Sequence, residues 1–84
     1  MIIKICGIKD NKILSCCEKL GVNLFGLIFY KQSPRNVSVD LATSLVQFSK
    51  NLNIEAVGVF VDKKLETLIK IISALNLKYI QLHG

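Results

Sequence analysis

The sequence predicts an α/β fold with a parallel sheet, its elements running β-α-β-α-β-α-β. Three observations carry this prediction. The apolar pattern switches repeatedly between the period of a strand and that of a helix. Successive units are roughly 25 residues long, the size of one βα repeat. The strands are nearly continuous apolar runs, as in a parallel sheet covered by helices. A chain of 84 residues holds one domain, spanning residues 1–84, with a thin core. A chain this short buries only roughly 60% of its unfolded surface.

The elements follow in order. Met1 to Cys6 is short, rich in isoleucine and bounded by Gly7, and reads as the first strand. Asp10 can cap a helix whose Ile13, Leu14, Cys17 and Leu20 share one face. Gly21 stands where a helix end favours a left-handed residue. Leu24 to Phe29 is the second strand. A polar loop from Tyr30 to Val37 follows, and Ser38 caps a second helix with the stripe Leu41, Leu45, Phe48 and Leu52. Ala56 to Val61 is the third strand. Asp62 is expected to cap a third helix that buries Leu65, Leu68, Ile69 and Ile72, with Asn76 as its stop. Lys78 to Leu82 is the fourth strand, followed by His83 and Gly84.

Two architectures use these elements: a doubly wound sheet and part of a (β/α)8 barrel. Strand residues two apart share a face. Lys4 and Cys6 therefore share a face of the first strand, and Gln81 and His83 a face at the fourth. Helices cover both faces of a doubly wound sheet, where such polar pairs are awkward. The inner face of a barrel carries polar groups near its C-terminal rim, where active sites form. The pattern favours the barrel, with Ile3, Ile5, Ile80 and Leu82 turned to the helices. A closed barrel needs about 250 residues, so the chain amounts to about half of one. Both outer strands of such a half barrel should be edges that invite pairing with another chain.

Composition excludes several classes. A chain 51% hydrophobic and 20% charged is not disordered. The longest apolar run, Leu24 to Tyr30, is far short of the roughly 18–20 residues a membrane span needs. Lys4 interrupts the first apolar stretch, and no signal-peptide cleavage site is visible. The three cysteines, Cys6, Cys16 and Cys17, make a poor disulfide framework, and one histidine leaves too few ligands for zinc. Reduced thiols and a cytoplasmic setting are expected. The net charge of +5 comes from ten scattered lysines and Arg35. A nucleic-acid module concentrates such charge on one element, so a small basic nucleic-acid binder is the weaker alternative.

Cys6 ends the first strand at the rim where barrel sites form. A free cysteine is otherwise commonly a small buried hydrophobe. Arg35 lies in the loop after the second strand, where a guanidinium can grip a carboxylate through two hydrogen bonds. His83 is the only histidine and follows the fourth strand.

Four motifs then carry a resemblance: Lys4-Ile5-Cys6-Gly7-Ile8, Ser33-Pro34-Arg35, Val57-Gly58-Val59-Phe60-Val61 and Gln81-Leu82-His83-Gly84. In this order and spacing the chain resembles the N-terminal half of phosphoribosylanthranilate isomerase, a (β/α)8 TIM-barrel enzyme of tryptophan biosynthesis. The resemblance implies an Amadori rearrangement of the phosphosugar N-(5-phosphoribosyl)anthranilate, an aldose-ketose isomerisation with no metal and no organic cofactor. It implies Cys6 as general base; Lys4, one pleat below on the same face of the strand, is placed to supply positive charge. It implies Arg35 and His83 as substrate ligands. The family's general-acid aspartate and main phosphate-binding loops have no counterpart in these residues. The implied partners are therefore a C-terminal half barrel or a second copy of the chain. The rival reading is a non-catalytic half barrel that self-associates.

Overall fold

The computed structural model describes residues 2–83. Met1, placed by sequence in the first strand, and Gly84, the last residue of the fourth motif, lie outside the described residues. The elements are β1 (Lys4–Cys6), α1 (Asn11–Lys19), β2 (Leu24–Phe29), α2 (Val39–Ser49), β3 (Glu55–Val61), α3 (Leu65–Leu75) and β4 (Tyr79–His83). The sheet order is β1-β2-β3-β4, and every neighbouring pair is parallel. This monotonic order decides between the two architectures. Right-handed crossovers between successive neighbours place every helix on the same face. A doubly wound sheet instead reverses its strand order at a switch point. The barrel expectation holds: the sheet has the order of consecutive strands in such a barrel.

Strand register separates the two faces. On the helix side Phe25 pairs with Ala56, Leu27 with Gly58 and Phe29 with Phe60. The rings of Phe29 and Phe60 stack with centroids 5.2 Å apart. These side chains join Leu14 of α1, Ala42 and Leu45 of α2, and Ile71 and Leu75 of α3 in one buried cluster. Gly58 makes room in it, since a Cβ there would sit 2.7 Å from a Leu77 methyl. Ile5 pairs with Phe25, and Ile80 and Leu82 pair with Gly58 and Phe60. They share the helix face, as expected, but lie on the edge strands. Leu82 stays 64% exposed, and Ile3, Ile5 and Ile80 are also exposed.

The turns follow local chemistry. Asp10 accepts a hydrogen bond from the Lys12 N–H at 2.6 Å and caps α1. Ser38 does the same for α2 through the Leu41 N–H at 3.1 Å. Gly21 and Asn76 adopt the left-handed conformation expected at helix ends.

Asp62 departs from expectation. The cap position of α3 is Lys64, with no side-chain capping bond. Asp62 instead turns the chain at φ 50°, a conformation aspartate tolerates better than most residues, and its N–H bonds the His83 carbonyl at 3.4 Å. Two helix faces differ as well. In α3 the buried stripe is Leu68, Ile71, Ile72 and Leu75, while Leu65 and Ile69 face outward. In α1 only Leu14 is fully buried, with Ile13 and Leu20 exposed. Each misplaced residue lies on a helix that packs over an edge strand, where the sheet offers one neighbouring helix instead of two.

Candidate active site

The inner face of the sheet carries Lys4 and Cys6 from β1, then Gly26, Ile28, Val57 and Val59 from the central strands, then Gln81 and His83 from β4. Polar side chains stand on the two outer strands, with aliphatic ones between them. Cys6 closes β1. Gly7 follows with φ +82° and donates its N–H to the Gly26 carbonyl at 3.0 Å, so the chain turns sharply off the sheet at the thiol.

Gly26 makes the seat for that thiol. It pairs with Cys6, and a Cβ at this position would lie 2.9 Å from Cys6 Sγ and 3.1 Å from Cys6 Cα. The thiol occupies space that any other residue in β2 would fill. Cys6 is half-buried there, whereas Cys16 and Cys17 sit on α1 in the outer layer.

Arg35 is brought to the same place by the loop after β2. The Ser33 Oγ accepts the Arg35 N–H at 3.1 Å. The Val37 N–H bonds the Ile28 carbonyl at 2.9 Å and pins the far end of the loop to the strand. The arginine stem then lies over Gly7: a side-chain carbon on Gly7 would collide with Arg35 Cδ and approach Nε to 3.1 Å. An exposed guanidinium is thus anchored one residue from the thiol.

His83 ends β4, exposed, with its Nε2 2.6 Å from the amide nitrogen of Gln81. The Gln81 carbonyl oxygen in turn accepts from the ammonium of Lys4, across the inner face. In a flat sheet strands β1 and β4 would stand about 14 Å apart. Two side chains meet over that gap only because the sheet is strongly curled. Lys4, expected to lend charge to the thiol, is committed to Gln81.

The structure therefore brings Cys6 and Arg35 together, and links His83 through Gln81 to Lys4, two residues from Cys6 on the same face. Gly26 is not among the candidates read from the sequence, and Gln81 enters there only as the face partner of His83 and as the first residue of the fourth motif. Gly26 carried a signal, as a glycine inside a strand marks a close approach. Among the described residues, no group of three or more histidine, cysteine or acidic side chains could hold a metal ion, and no helix is long and apolar enough to cross a membrane.

Comparison with known proteins agrees with this geometry. A family model described as N-(5'-phosphoribosyl)anthranilate (PRA) isomerase matches residues 3–84. The chain is similar to the N-(5'-phosphoribosyl)anthranilate isomerase of Paramagnetospirillum magneticum, with 39% identity over 98% of this chain and 38% of the relative. To the enzyme of the same name from Campylobacter jejuni it is 42% identical over 96% of this chain and 40% of the relative. Among solved structures, a phosphoribosylanthranilate isomerase in complex with reduced 1-(o-carboxyphenylamino)-1-deoxyribulose 5-phosphate superposes with a TM-score of 0.88 at 31% identity, covering 100% of this chain and 43% of that one. The chain thus spans about 40% of the length of the curated relatives it matches. With the four motifs, the monotonic parallel sheet and the family match over residues 3–84, the chain belongs to the N-(5'-phosphoribosyl)anthranilate isomerase family.

Proposed function

We propose that this chain supplies the base and the substrate-gripping groups of a phosphoribosylanthranilate isomerase site. The observation that carries the reading is the seat at the end of β1: Cys6 in the space left by Gly26, with Arg35 laid over Gly7 beside it. The family reaction removes a proton from the second sugar carbon of N-(5-phosphoribosyl)anthranilate. It gives an enolamine that tautomerises to the carboxyphenylamino-deoxyribulose phosphate. Cys6, as a thiolate, takes that proton. Arg35 pairs with the anthranilate carboxylate, for which a planar guanidinium is suited. His83 holds the sugar from the opposite strand.

The reaction also needs an acid at the ring oxygen. The strand residues of the inner face at this end, Cys6, Ile28, Val59, Val61, Gln81 and His83, include no carboxylate. The acid and the main phosphate anchor are expected from a C-terminal half barrel. The test is isomerase turnover by the chain supplied with such a half from a family member. Turnover that requires both pieces supports the reading, and none under conditions where the pieces assemble counts against it.

One observation favours a second reading. Edge strands β1 and β4 expose Ile5, Ile80 and Leu82, with Ile3 exposed just before β1, a surface suited to self-association. A half barrel that only self-associates would form a stable dimer and stay inert when the second half is added.

A further inference from the structure

The Lys4, Gln81 and His83 side chains form a chain in which hydrogen-bonding capacity fixes every role. A lysine ammonium has three donors and no acceptor. The Gln81 atom facing it must be the carbonyl oxygen, which sets the orientation of the amide. The other end of that amide is an NH2 group, also a pure donor, and it stands 2.6 Å from His83 Nε2. Nε2 must then present its lone pair. The imidazole proton is left on Nδ1, because the hydrogen bond at one ring nitrogen decides the state of the other.

We propose that Lys4 and Gln81 are positioning residues that hold His83 in its Nδ1–H tautomer, so that its free ring nitrogen meets the substrate as a donor. This rests on the reading of His83 as a substrate ligand. A donor there suits an acceptor oxygen of a sugar phosphate and leaves proton abstraction to Cys6. In water histidine favours the other tautomer, with the proton on Nε2, so the relay works against the default. Lys4 and Gln81 are 77 positions apart, so the tautomer is set only when the sheet curls and brings β1 to β4.

The test needs neither substrate nor turnover, so its failure is distinguishable from a failure of the functional reading. His83 is the only histidine, so the two imidazole 15N signals of the labelled chain, recorded where the ring is uncharged, are unambiguous. The expected spectrum has a pyridine-type Nε2 and a pyrrole-type Nδ1. Gln81→Glu keeps the shape and the Lys4 pairing but replaces the amide donor by an acceptor, so Nε2 should gain a proton and its shift should move to the pyrrole type. Lys4→Met frees the amide to rotate and should produce a mixture of tautomers. A protonated Nε2 in the native chain, or the native pattern surviving in Gln81→Glu, overturns the proposal.

Discussion

Cys6 Sγ and the missing Cβ of Gly26 compete for one volume, and this makes two substitutions informative. In a completed enzyme Cys6→Ser should lower turnover by roughly 10²–10⁴, the usual cost of removing a general base. Cys16→Ser and Cys17→Ser, on the outer layer, should change turnover by less than about twofold, well below that general-base scale. Equal, mild effects at all three would return Cys6 to the role of core filler. Gly26→Ala would press a methyl against both the sulfur and the backbone of Cys6. Overpacking of this kind costs about 1–3 kcal/mol, so urea unfolding should show a lower midpoint. An unchanged midpoint would mean that β1 moves aside freely. Cys6 and His83 were legible as rim residues because each stands at the C-terminal end of a strand, and Arg35 because it lies in the loop after β2. The Lys4–Gln81 contact was not, because it joins opposite edges of the sheet and depends on curvature that no local window encodes.

At the level of elements, periodicity and turn chemistry located all seven, and the caps at Asp10 and Ser38 follow from residue type alone. Ser38→Ala should destabilise the chain by about 1 kcal/mol, the typical cost of losing such a cap. An unaltered thermal midpoint would show that α2 does not depend on it. The start of α3 was misread because Asp62 is a good cap by type, yet the turn off β3 takes it into the left-handed region. That leaves Lys64 at the cap without a capping bond. Lys64→Ser should therefore stabilise the chain, by about 0.5–1 kcal/mol, and no gain would mean that α3 is already satisfied by solvent. The buried faces of α1 and α3 were only partly legible. Which of two neighbouring apolar stripes is covered depends on the next helix around the barrel, and an edge strand provides a neighbour on one side only.

For the molecule as a whole, the order of strands followed from the alternation of elements, while the choice between two sheet architectures turned on polar pairs at the first and last strands. The same strands form the edges of the sheet and expose the aliphatic side chains Ile5, Ile80 and Leu82. The isolated chain should therefore dimerise or aggregate, and a stable monomer in sedimentation at tens of micromolar would contradict this. Catalysis sets a stricter demand. Base and acid must be held on opposite sides of the opening sugar at the same time, and the inner face offers only the proposed base, Cys6, with Arg35 and His83 as the proposed gripping groups. Removing the acid alone costs about 3–5 kcal/mol of barrier on the general-acid scale. The most direct measurement is growth of a tryptophan auxotroph that lacks the isomerase. The chain together with a C-terminal half barrel should restore growth, and should fail to do so when it carries Cys6→Ser; the 84-residue chain alone should not restore it. Growth on the chain alone, or rescue that persists with Cys6→Ser, would contradict the assignment of Cys6 as the base of a site shared between two halves.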